Sequence, residues 1–170
     1  MDNNKLTTIA EKLAELLTRN HQKLTVAESC TGGWIAKVLT DISGSSAWFE
    51  RGFVTYTNQS KQEMLGVAES TLQAHGAVSS QTVEAMAIGA LQNSHADFSL
   101  SVSGIAGPGG GTVDKPVGLV CFAWAVKEQT QNVILYSEKQ IFKGDREAVR
   151  RQAVAFALNR MIEFVEARFH

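Results

Sequence analysis

The clearest period in the chain falls over residues 4–20, where Leu6, Ile9, Ala10, Leu13, Leu16 and Leu17 recur with polar residues between them. Apolar side chains at i, i+3, i+4 and i+7 share one face of a helix, so this spacing predicts an amphipathic helix. Lys23 to Glu28 reads as a short strand that runs straight into Ser29-Cys30-Thr31-Gly32-Gly33, and Trp34 to Ile42 is helical again. Residues 48–57 are aromatic and β-branched, the composition of a strand. Gln59 to Leu65 is a short helix stopped by Gly66, a residue that readily takes the left-handed turn ending a helix. Ser79-Ser80 offer an N-cap to a helix that is periodic from Val83 to about Asn93.

Farther along, Phe98 to Val102 is a strand that feeds a glycine-rich segment. Val117 to Val126 and Val133 to Phe142 are longer strands joined by the polar turn Lys127 to Asn132, which suits an antiparallel pair. The last helix runs from about Asp145 to Phe169, with Asp145 and Glu147 at the end where a helix dipole favours negative charge. Helices interleaved with strands predict one α/β domain over residues 1–170, with helices on both faces of a mixed sheet. No repeat, linker or low-complexity tract interrupts it.

Composition narrows the partners. Apolar residues make up 44% and charged residues 19%, which excludes a disordered or coiled-coil chain. Lys plus Arg is 16 against 17 Asp plus Glu, a formal charge of −1, so neither nucleic acid nor a membrane surface is an expected partner. The longest apolar run, Val117 to Val126, is far short of the ~20 residues a membrane span needs. The polar start Met1-Asp2-Asn3-Asn4 lacks a signal-peptide layout, so a cytoplasmic protein is expected. Cys30 and Cys121 form no CxxC pair, and His21, His75, His95 and His170 are scattered, so no metal site is expected. Apolar helix faces left exposed would suit a homo-oligomer, most simply a dimer. Both prolines, Pro108 and Pro116, fall in the same stretch as Gly104, Gly107, Gly109, Gly110 and Gly111. One loop therefore concentrates the unusual backbone.

Four segments could carry chemistry. At the strand-to-helix turn of residues 27–33, Ser29 could be a nucleophile beside backbone N–H groups, or Ser29 or Thr31 could simply cap the helix. Cys30 is a rival nucleophile, because a helix N-terminus favours the thiolate. Tyr56 and Lys61 stand at a strand-to-helix junction, where a desolvated lysine could take a proton from a hydroxyl; a solvated lysine and a packed tyrosine are the plain alternative. The loop from Ser103 to Thr112 follows a strand and exceeds what a hairpin connection needs, so it reads as a ligand loop, although it fits neither standard nucleotide fingerprint. Arg146 and Arg150 share a helix face and could fork onto a phosphate or carboxylate, or merely pair with nearby glutamates.

Taken in order, AESCTGG (27–33), GSSAWFERGFVTYTN (44–58), SKQEMLGV (60–67), SGIAGPGGGT (103–112), KPVGLV (115–120) and GDREAVRRQA (144–153) resemble the CinA C-terminal domain family. The resemblance covers nearly the whole chain and is to the stand-alone form. It implies a three-layer α/β/α domain around a mixed, mainly parallel sheet. It also implies hydrolysis of the carboxamide of nicotinamide mononucleotide to nicotinic acid mononucleotide and ammonia, with neither metal nor organic cofactor. Carried onto this sequence, Ser29 is the nucleophile, Lys61 its base and Tyr56 a partner in proton handling. Thr31, Gly32 and Gly33, with the loop Ser103, Gly104, Ile105, Ala106 and Gly107, then hold the nucleotide, and Arg146 contacts its phosphate. The alternatives to this reading are a nucleotide-binding or sensor module without turnover, and a Cys30 thiol hydrolase.

Overall fold

In a computed structural model that describes residues 2–170, the elements run α1 (Asn3–Arg19), β1 (Leu24–Glu28), α2 (Trp34–Thr40), a 3-10 turn (Ser45–Ala47), β2 (Phe49–Val54), α3 (Asn58–Leu65), α4 (Glu69–His75), α5 (Ser80–Gln92), β3 (Phe98–Gly104), β4 (Leu119–Lys127), β5 (Val133–Ile141) and α6 (Arg146–Phe169). The sequence pattern does not foreshadow α4. Its N-cap is Ala68, which has no capping side chain, and it buries only Leu72, so neither a start signal nor a period marks it. The strand expected over 48–57 stops at Val54, which frees Thr55 and Tyr56 to line the mouth of the sheet.

The five strands lie in the order β2-β1-β3-β4-β5. β1 pairs in parallel with both β2 and β3, whereas β3–β4 and β4–β5 are antiparallel. The sheet is thus mixed, as expected, but not mainly parallel, since β4 and β5 return as an antiparallel hairpin and give as many antiparallel ladders as parallel ones. Leu24, Val26, Phe98, Leu100, Val120, Phe122 and Trp124 face one core with α1, α2 and α6. Ala27, Cys121, Ala123 and Ala125 face the other, beneath α3, α4 and α5. This is the three-layer arrangement. Side chains alternate across a strand, so β1 sends residues 24, 26 and 28 toward α2 and α6, and residues 25, 27 and 29 toward α3 and α5. No helix among the described residues is long and apolar enough to cross a membrane.

The connection β1–α2–β2 runs over one face of the sheet and β2–α3–α4–α5–β3 over the other. The carboxyl ends of β1 and β3 lie between these two connections, the place where α/β sheets gather ligands. One close contact sets the height of α3 above it. Gly89 of α5 lies directly under the last turn of α3, and a Cβ there would come within 1.9 Å of the Leu65 carbonyl oxygen. Helix propensity alone favours Gly89→Ala by about 1 kcal/mol. A backbone overlap of that size outweighs it, so the substitution should destabilise the fold by about 1–3 kcal/mol in urea unfolding and displace α3.

Candidate active site

Ser29 follows β1 directly, and its N–H donates to the Val102 carbonyl at 3.0 Å, which extends the β1–β3 ladder one step. The strand alternation then points the Ser29 side chain toward α3. There the buried Lys61 Nζ stands 2.9 Å from Ser29 Oγ and 2.7 Å from the Thr55 carbonyl oxygen. Thr57 caps α3 in a reciprocal capping box with Ser60, so the helix starts at a fixed phase and aims Lys61 inward. Lys61 is 1% exposed and has no ion-pair partner among the described residues. Burial alone pulls its pKa from the ordinary 10.5 down to about 8.

On the other side of β1, Glu28 is fully buried yet completely satisfied. Its Oε1 accepts from Thr31 Oγ1 at 2.7 Å and from the Ile35 N–H at 2.9 Å, and its Oε2 accepts from the Ala36 N–H at 2.9 Å. The physical need comes from Gly33, the N-cap of α2, which sits at φ +98° in the left-handed region that glycine tolerates and has no side chain to cap with. Glu28 caps the helix from a distance. Its backbone carbonyl meanwhile accepts the Thr55 N–H at 2.8 Å. One residue thus ties the Ser29 turn to the segment whose next carbonyl holds Lys61.

The remaining expected residues separate into groups. Thr31, Gly32 and Gly33 form the turn after Ser29, and continuing the β1–β3 register sets Ser103 beside Ser29. Gly104 and Ile105 lead from β3 into the loop, where the Ile105 N–H donates to the Leu119 carbonyl and Ala106 is buried. Arg146 donates through Nη1 to the Gly107 carbonyl and through Nη2 to the Tyr56 hydroxyl, both at 2.8 Å. Tyr56, 57% exposed, therefore belongs with Arg146 at the rim and is hydrogen-bonded to neither Ser29 nor Lys61. Cys30 is buried, and burial with the Glu28 charge pushes its thiol up to about 12, so it stays protonated. Arg150 does not stand free for a ligand. Its Nε donates to the Cys30 carbonyl and its Nη2 to the Thr31 carbonyl.

Behind the turn, Thr31 to Trp34, Lys37, Arg150 and Arg151 line a cavity of about 500 Å³. A separate cleft of about 430 Å³ between β5 and α6 is lined by none of these residues. Glu28, Thr55 and the clamping role of Arg150 were not anticipated. Only Glu28 left a trace in the sequence, as a carboxylate on the inward phase of a buried strand.

The family model for the CinA C-terminal domain matches residues 6–165. A nicotinamide-nucleotide amidohydrolase PncC of Escherichia coli strain K12 is 53% identical over 158 residues, covering 93% of each chain. A protein of the same name from Enterobacter agglomerans is 51% identical over 98% of this chain and 99% of its own. The crystal structure of a competence/damage-inducible protein from Agrobacterium tumefaciens superposes with a TM-score of 0.86 at 45% identity, over 94% of each chain.

The lysine makes a stability prediction. Because its folded pKa lies below its unfolded one, the unfolded chain binds more protons between about pH 8 and 10.5. The penalty of burying the lysine is complete below pH 8 and fades as pH rises through that window. Lys61→Met removes it, so the variant's unfolding free energy relative to wild type should fall by up to about 3 kcal/mol from pH 7 to 10.5. Urea unfolding at the two pH values measures this.

Proposed function

The chain belongs to the CinA C-terminal domain family, and on that premise we propose that it is a nicotinamide-nucleotide amidohydrolase forming one domain over its whole length. It converts nicotinamide mononucleotide and water to nicotinic acid mononucleotide and ammonia, as a cytoplasmic, self-associating protein that needs no metal or organic cofactor. The observation that carries this reading is the buried contact of 2.9 Å between Lys61 Nζ and Ser29 Oγ, with the lysine poised near neutrality.

An amide is a weak electrophile, so its hydrolysis calls for a hydroxyl deprotonated as it attacks. Neutral Lys61 keeps one N–H on the Thr55 carbonyl and turns its lone pair to the Ser29 hydroxyl, which donates to it. Ser29 Oγ bonds to the carboxamide carbon while its proton passes to Nζ. The C–N bond then breaks as that proton moves to the departing nitrogen, releasing ammonia and leaving a Ser29 ester. Water, deprotonated by the same lysine, cleaves the ester and restores the serine. Thr31 to Gly33 and Ser103 to Gly107 bracket the substrate. Arg146, which engages Gly107 and Tyr56 at the rim, supplies the charge for the phosphate. The proton handling expected of Tyr56 falls to Lys61, which the Thr55 carbonyl orients, and Tyr56 serves the rim.

Ser29→Ala and Lys61→Ala should each lower ammonia release from nicotinamide mononucleotide by about 10³-fold or more with the circular dichroism spectrum unchanged. Either variant retaining full activity overturns the assignment. Cys30→Ser should stay active. Nicotinamide riboside, which lacks the phosphate, should be hydrolysed far more slowly.

The pH profile of kcat/KM is a separate check. Lys61 must be neutral to accept the proton, so kcat/KM should fall about tenfold per pH unit below about pH 8 and level off above it.

A further inference from the structure

Hydrolysis through Ser29 builds negative charge on the carboxamide oxygen, and a donor must be aimed at it. The turn after Ser29 is the nearest backbone, and most of its polar groups are already engaged. The Gly32 N–H donates to the Ser29 carbonyl at 3.0 Å and the Trp34 N–H to the Thr31 carbonyl at 3.0 Å. The Ile35 and Ala36 N–H groups are held by Glu28. Thr31 is different. The residue is fully buried, and its N–H meets no acceptor among the described residues, which is uncommon for a buried backbone donor.

What fixes the direction of that N–H is the other end of its peptide unit. A trans peptide points its C=O and N–H opposite ways, so the Thr31 N–H is turned away from whatever holds the Cys30 carbonyl. Arg150 holds it, with Nε at 3.0 Å, while Nη2 reaches the Thr31 carbonyl at 3.2 Å. Arg150 belongs to α6, on the sheet face opposite α3, and its guanidinium lies 5.5 Å from the centre of the Trp34 ring, which helps hold the fork in place. Clamped from the α6 side, the Thr31 N–H is directed toward the α3 side, where Lys61 meets Ser29.

We propose that Arg150 is the positioning residue for this reaction, and that by gripping the Cys30 and Thr31 carbonyls it aims the Thr31 N–H at the oxyanion. Arg150 touches no reacting atom. The inference rests on the serine reading above, and its test includes a readout that does not depend on the amide substrate.

Wild type, Arg150→Ala and Arg150→Lys are compared for kcat and KM on nicotinamide mononucleotide, and for the rate at which a fluorophosphonate labels Ser29. The attack on that phosphorus builds charge on a P=O oxygen in the same place, with fluoride as the leaving group. Arg150→Ala should lower kcat and the labelling rate together, each by about 10²-fold, with KM changed less than about threefold. Arg150→Lys, which can reach one carbonyl but not both, should fall between, and its ammonium keeps the turn folded if alanine does not. Free guanidinium ion should restore part of the alanine variant's rate. A clamp that merely stabilises the fold would lower the melting temperature and the fraction of labelled protein, but not the rate per labelled serine. That result, or unchanged labelling in both variants, overturns the inference. Slower labelling of the variants with no ammonia release by wild type would keep the inference and overturn the substrate reading. Wild type that cannot be labelled at Ser29 overturns both.

Discussion

An amino group buried without a counter-charge is the constraint around which the rest of the site is arranged. Lys61 gains one carbonyl and one hydroxyl in place of water, and no carboxylate among the described residues compensates it. A buried Lys–Glu pair would have kept the lysine charged and useless as a base. Here desolvation acts almost alone, so the group is held near the point where it can both take and return a proton. The stability this costs is borne by the packing of α3 on α5, where Gly89 lets two backbones meet.

The nearby carboxylate is kept off the lysine by the simplest feature of a strand. Glu28 and Ser29 are consecutive, so they leave β1 on opposite faces. Glu28 spends its charge on Thr31 and the first turn of α2, while Ser29 faces Lys61. The two sides remain mechanically joined through the backbone, because the Glu28 carbonyl takes the Thr55 N–H and the Thr55 carbonyl takes Lys61. A one-residue slip between β1 and β2 would exchange the faces of Glu28 and Ser29 at once.

Much of this was legible from residues alone. The period over 4–20, the Ser/Gly turn and the capped start of α3 led directly to elements that the structure contains, and Ser29 and Lys61 lie where a strand-to-helix turn and a helix start would put them. The parts that stayed hidden share a cause. Thr55 contributes a backbone carbonyl, which every residue has, so its identity carries no signal. Arg150 acts on a turn 119 and 120 residues away, and nothing in its own helix distinguishes a clamp from a surface charge. Tyr56 looked like a partner of Lys61 because the two are close in sequence, but the strand ends before it and leaves its hydroxyl to Arg146. Helix α4 lacks both a capping side chain and an apolar stripe.

The contacts from α6 to the turn have a consequence for the order in which the protein comes into being. Ser29 and Lys61 leave the ribosome with β1, β2 and α3, whereas Arg146 and Arg150 belong to α6 and emerge well after them. α6 packs across the α1 and α2 side of the sheet, so the face beneath it stays uncovered until α6 itself is made. Ser29 is therefore present before the residues that grip its turn and close its rim. Emergence of α6 and completion of the site are the same event.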